Sequence, residues 1–206
     1  MVLVMIQILT DQLMAQDDNL KPVNGIFSIY DFQFDYYSSV RKILFKGLSD
    51  DPEIRIVVIP SFSPESVLDI EKDKQSERYF LLYHKANPSI WYSHGKKKVN
   101  VDTIRNEIES NSFLLLKKLL ESAIFKAKYQ LDSLGSIGTD GTDYYFSVSN
   151  IWQKGGTTWS PRDGSKMGKL VDIVNHLIQL MKAESGEIEF DSTFSKEVTN
   201  LTNSLK

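Results

Sequence analysis

Three stretches carry side chains that could do chemistry. The first is GTDGTD, Gly138 to Asp143, in which Asp140 and Asp143 flank Gly141 and two threonines add hydroxyls. Oxygen ligands of this kind suit a hard cation such as Ca²⁺. An EF-hand loop also needs acidic or amide residues at alternate positions and a bidentate glutamate at the twelfth, and these are missing. The stretch is therefore read as a turn, where Asp and Gly have backbone reasons to occur.

The second stretch is RDGSKMGK, Arg162 to Lys169, which leads into a helical pattern. Free N–H groups near Ser165 could hold an anion. The two glycines, lysine and hydroxyl of a nucleotide-binding loop are not in order here, nor in SHGKKK at Ser93 to Lys98. The preferred reading is a helix cap by Asp163 or Ser165.

The third is PSFSPE, Pro60 to Glu65, which brings Ser61 and Glu65 onto one stiff connection. Each proline fixes its own φ and pushes the residue before it towards extended geometry. A small hydrolase would need such a serine, or an aspartate, beside a histidine. His84, His94 and His176 lie in separate segments with no zinc-protease spacing, and there is no Gly-x-Ser-x-Gly elbow. Asp69 and Glu71 share one strand face, where carboxylates are usually solvated. The sequence predicts no catalytic residue, no metal site and no cofactor.

Aromatic residues make up 11% of the chain, and many fall near turns. Tyr and Trp anchor interfaces because they bury a large area and keep a polar tip. The candidate binding residues are Ile151, Trp152, Trp159, Tyr145 and Trp91. Trp152 has two readings: a lid folded back on the core, or, with Ile151, an apolar patch at a loop tip that marks a contact site.

These residues need a scaffold. The chain has 206 residues, 41% of them hydrophobic and 25% charged, which suits a folded domain with a sizeable core. A net charge of −3 argues against nucleic acid, whose binders cluster Lys and Arg. With no cysteine, disulfides and thiolate chemistry are excluded. No apolar run is long enough to span a bilayer. Val2 to Leu13 reads either as an amphipathic helix or as the remnant of a secretory signal that lacks a basic start. The compartment, cytoplasmic or exported, follows that choice.

Ile54 to Ile59 is a β-branched run expected to be buried on both faces. Short strands are expected before it at 26–30 and after it at ESVLDIEKD, ERYFLLYHK and SIWYS, with an edge at KKKVNV. From Asp102 a helical period is read as far as Gly135, broken near Ser110–Ser112. DYYFSVS and TTWS form a hairpin, with Gly155 and Gly156 free to take positive φ between them. Lys166 onward is the best helix, EIEFD a last strand, and the polar C-terminal tail a weak helix or frayed.

The expected fold is α+β: an antiparallel meander sheet packed by two or three helices, with a C-terminal β-hairpin followed by an amphipathic helix. Residues 1–24 are set apart as an N-terminal segment and linker, and 25–206 as a single domain. The expected function is non-enzymatic binding of another protein, in an inhibitor or immunity-like role. The small hydrolase is the alternative.

Overall fold

The computed structural model describes residues 18–24, 33–93, 98–129, 140–149 and 154–206. The expectations for residues 1–17, the strand at 26–30, His94, the Gly135 stop and the Ile151-Trp152 tip lie outside the described residues.

Eight strands form one sheet in the order β1-β7-β6-β2-β3-β4-β5-β8. Its centre is the meander β2 (Ile54–Pro60), β3 (Ser66–Lys72), β4 (Tyr79–Asn87) and β5 (Asn100–Ile108), all antiparallel. The hairpin β6 (Thr142–Val148) and β7 (Lys154–Trp159) joins beside β2. β1 (Lys21–Asn24) pairs with β7, so the stretch read as a linker carries an edge strand, and Leu20 just before it is fully buried. β8 (Glu187–Ile188) pairs in parallel with β5.

The alternation along the strands sorts two cores. Ile54, Ile56, Leu68, Ile70, Leu81, Phe146 and Val148 face α3 (Ser110–Phe125), α4 (Lys166–Ala183) and α5 (Ser192–Ser204). Val57, Ile59, Val67 and Ala86 face the other way, against Val40 and Leu44 of α1 (Phe34–Leu44) and Ile90 of α2 (Ile90–Ser93). β2 is therefore covered on both faces, as its β-branched run predicts. α4 buries Leu170, Val174, Leu177 and Met181 and leaves Lys169, Asp172, His176 and Gln179 exposed. Ser165 caps it, its Oγ accepting from the Gly168 N–H at 3.0 Å.

Four local expectations are corrected. Ile90–Ser93 is a helical turn, not a strand. Residues 102–108 are strand, not helix: Ile104 and Ile108 at helical spacing disguised an alternation in which Asn106 takes the inward slot between them. Asn106 is buried there because its amide donates to the carbonyls of Glu184 (2.9 Å) and Gly186 (3.3 Å), tying the end of α4 to β5. The helix begins instead at Ser110, capped by Glu109, whose carboxylate accepts from the Asn111 and Ser112 N–H groups. Gly155 and Gly156 lie inside β7 rather than in the turn. A Cβ on Gly156 would fall 2.6 Å from Leu20 Cδ1, so close packing of Leu20 accounts for this glycine. The tail is the firm helix α5, capped by Asp191 and buried through Phe194, Val198 and Leu201.

No helix among the described residues is long and apolar enough to cross a membrane.

At the base of β2, Glu53 accepts from Lys117 Nζ (2.6 Å) and Ser149 Oγ (2.7 Å). Burial pushes its carboxyl up, but those hydrogen bonds and the Lys117 charge outweigh burial and hold it below its usual 4.5. A lowered folded-state pKa stabilises the fold above the unfolded value, and the gain is lost as pH falls through the folded one. Wild type is thus expected to exceed Glu53→Gln by about 1 kcal/mol at neutral pH. The gap should close below about pH 4.5 in urea unfolding run across pH.

Candidate functional site

The chain turns at the exit of β2 bring one cleft together. Pro60, Ser61 and Phe62 form one side of a cavity of about 320 Å³. Asp140 and Asp143, leading into and starting β6, form the floor with Trp159 at the end of β7. Gln33, Tyr36 and Tyr37 come from the start of α1, and Trp91 and Tyr92 from α2.

Register explains the grouping. Asp143 sits opposite Ile59 on one side and Trp159 on the other, and Thr142 sits opposite Pro60. Ile59, Asp143 and Trp159 take the face that α1 covers, and Pro60 and Thr142, one step along their strands, share the same end of the sheet. The stiff Pro60–Glu65 connection does cross this end of the sheet, and it is fastened at Ser61. The Ser61 N–H donates to the Gly141 carbonyl (2.8 Å), Ser61 Oγ accepts from the Gly141 N–H (3.0 Å), and the Tyr92 hydroxyl donates to the Ser61 carbonyl (2.8 Å).

Beneath the cleft lies Glu65, with no solvent exposure. Its carboxylate accepts from Tyr36 Oη (2.8 Å), Ser89 Oγ (3.1 Å), the Ile90 N–H (2.7 Å) and the Trp91 N–H (2.9 Å). One buried anion thereby fixes two walls of the cleft. The Tyr36 and Trp91 rings meet edge to face with centroids 4.9 Å apart. Burial, then the Glu65 charge and hydrogen bond, with a contribution from Asp143, push the Tyr36 phenol above its ordinary 10. Tyr36 is therefore a neutral hydroxyl at physiological pH.

Trp159 rests on the backbone of Gly141. A Cβ there would fall 2.5 Å from Trp159 Cε2 and Nε1 and 2.5 Å from Ser160 Oγ. Gly141 is thus a seat for the indole, which the reading of GTDGTD as a simple turn did not supply. Gly141→Ala is expected to displace the ring and cost about 1–3 kcal/mol. Urea unfolding followed by tryptophan fluorescence would show both the lower midpoint and the altered native spectrum.

Of the candidate residues named from sequence, Trp91 and Trp159 meet in this cleft. Tyr145 does not line it: it sits two residues further along β6 and packs against the α1-side core. Ile151 and Trp152 lie outside the described residues. Sequence reasoning missed Tyr36 and Tyr37, whose signal was the aromatic run FQFDYY, and it missed the role of Glu65. The described histidines are elsewhere. His84 is buried with Nδ1 2.8 Å from the Leu44 carbonyl, and His176 is exposed and packs on Phe194 at 4.3 Å. Among the described residues no three His, Asp or Glu side chains gather as a metal site.

No protein-family model, curated protein or solved structure matches the chain. Function has to be argued from the cleft itself. Three of the seven exposed large apolar side chains among the described residues, Phe62, Tyr92 and Trp91, line it, at 72%, 57% and 37% exposure. Apolar rings held in the open around a polar floor can grip a partner group by stacking and orient it by hydrogen bonds.

Proposed function

We propose that this chain is a non-enzymatic recognition domain that binds another protein through the cleft at the β2 end of the sheet. The observation that carries this reading is the convergence of aromatic side chains from separate segments on one small hollow. Phe62, Trp91, Tyr92 and Trp159 are the residue types that dominate interface energetics. Keeping several of them exposed has a solubility cost that a contact surface would offset. At about 320 Å³ the hollow is at the lower limit of small-molecule pockets, ~300–1,000 Å³, and suits one inserted side chain of a partner. The acidic net charge suits a basic partner, and an inhibitor or immunity-like role would be one form of such binding.

The test is selection of linear peptides from a random display library on the full chain, followed by affinity measurement on Trp91→Ala and Phe62→Ala. Selected peptides are expected to lose tenfold or more in affinity for each variant. Peptides that bind the variants as well as wild type, or no enrichment over an unrelated domain, would overturn the reading.

A further inference from the structure

The helix α3 has two working faces. Its inner side buries Phe113, Leu116, Leu119, Leu120, Ala123 and Ile124 in the core. Its outer side carries Leu114, Lys118, Glu121 and Phe125 at i, i+4, i+7 and i+11, which is one stripe of a helix. Leu114 is 56% exposed and Phe125 77%, and Tyr129, just past the helix, is 72% exposed. Lys118 and Lys128 stand exposed among them. At the same end of α3 the Lys126 ammonium donates to the Lys206 carbonyl at 2.7 Å, and the Lys206 side chain is exposed. Phe125, Leu205 and the stems of Lys126 and Lys206 line an open groove there with Glu121 and Ser122.

We propose that this surface lays α3 against an anionic lipid bilayer. The proposal goes beyond the cleft and does not depend on it. α3 covers one face of the sheet, and α1, which brings Tyr36 and Tyr37 to the cleft, covers the other. The spacing favours a bilayer over a protein. At 1.5 Å per residue, Leu114 and Phe125 stand about 16 Å apart along the helix. Protein hot spots cluster in packed pockets. Apolar side chains spaced singly along a helix suit a bilayer, where each enters the headgroup region by itself. Tyr129 is a residue type that settles at headgroup level, and the lysines supply the charge that anionic headgroups attract. The preceding chain also joins the fold here, since the Leu20 carbonyl accepts from the Lys128 N–H at 2.8 Å. Residues 1–17, with apolar Val2, Met5, Ile6, Leu9 and Leu13 in an apolar run too short to span a bilayer, attach beside this surface.

The experiment is sedimentation of the full chain with two kinds of vesicle: phosphatidylcholine alone, and phosphatidylcholine with about 30% phosphatidylserine. Wild type should bind the anionic vesicles about tenfold more tightly than the neutral ones, and salt near ~1 M should remove most of that difference. Lys118→Gln and Lys128→Gln should each weaken anionic binding about fivefold. Phe125→Ser with Tyr129→Ser should weaken it about tenfold. The urea midpoint of that double variant should match wild type, because both side chains are exposed. Equal binding to the two vesicles, or binding to neither, would overturn the proposal on wild type alone, whatever the variants do. So would anionic binding that the serine variant leaves unchanged, since the contact would then lie elsewhere. If vesicles fail while polyglutamate shifts the Phe125 and Tyr129 amide signals, the surface belongs to an acidic protein and the lipid reading falls. None of these results bears on the peptide selection that tests the cleft.

Discussion

Glu65→Ala is expected to lower stability by about 3–5 kcal/mol and to disorder the cleft with the same substitution. Four donors lose their acceptor at once: the hydroxyls of Tyr36 and Ser89 and the N–H groups of Ile90 and Trp91. Buried donors left unpaired cost about 1–3 kcal/mol each. The expected loss is smaller than four such terms because Tyr36 and Trp91 border a cleft that water can enter. Glu65→Gln keeps one acceptor oxygen but turns an NH₂ towards donors, so it should also destabilise, by less. Urea unfolding gives the stability. The Trp91 indole signal gives the site, and it should broaden or move in both variants even where the fold survives. A Glu65→Ala protein with the wild-type midpoint and an unmoved Trp91 signal would show that the buried anion does not organise the cleft.

Arg55→Ala is the second large effect, at about 3–5 kcal/mol, and it leaves the cleft chemistry untouched. Arg55 and Asp69 face each other across β2 and β3 on the α1 side of the sheet. Arg55 Nε donates to Asp69 Oδ1 at 2.9 Å and Nη2 to Oδ2 at 2.5 Å, and Nη2 also reaches the Ser49 carbonyl at 2.7 Å. The guanidinium lies 4.3 Å from the centre of the Phe45 ring. Removing it strands a carboxylate with no solvent exposure. The double variant Arg55→Met with Asp69→Leu strands no charge and takes only the Arg55 donor from the half-buried Ser49 carbonyl, and should stand within about 1–2 kcal/mol of wild type. A double variant less stable than Arg55→Ala would contradict this account.

The pair also has a pH signature. Burial pushes the Asp69 carboxyl up to about 6, against the pull of Arg55. A carboxyl whose folded pKa exceeds its unfolded value holds its proton more tightly in the native state. Its contribution to stability therefore falls as pH rises from about 4 to about 6 and is level above that. This is opposite in sign to the Glu53 contribution at the base of the same strand, so each must be isolated by its own substitution.

Much of the fold was legible because the sheet centre follows simple rules. The β-branched run of β2, the alternation of β3 and β6, and the apolar stripe of α4 each state a period and a face. The failures share a cause: a tertiary contact hid the period. Asn106 broke the alternation of β5 because its amide serves the end of α4. Gly156 imitated a turn residue because Leu20 lies over it. The stripe Phe194, Val198 and Leu201 was diluted by the polar residues of α5. For the site, residue type pointed to Trp91 and Trp159, since exposed aromatics near turns are informative by themselves. Their partners were not visible, because Tyr36, Glu65 and Asp143 meet only through strand register and a helix packed across the sheet. Asp69 shows the same limit: paired with Glu71 on one strand, it looked solvated, yet Arg55 of the neighbouring strand buries it.

The central claim is that the aromatic cleft is the surface this chain uses for recognition. Mapping the backbone amide and indole shifts of the full chain, saturated with a library-selected peptide, tests it most directly. The account predicts that the largest changes fall on Tyr36, Ser61, Phe62, Trp91, Asp143 and Trp159. Changes centred instead on the exposed Phe125 at the end of α3 and Tyr129 beyond it, with the cleft unmoved, would contradict it.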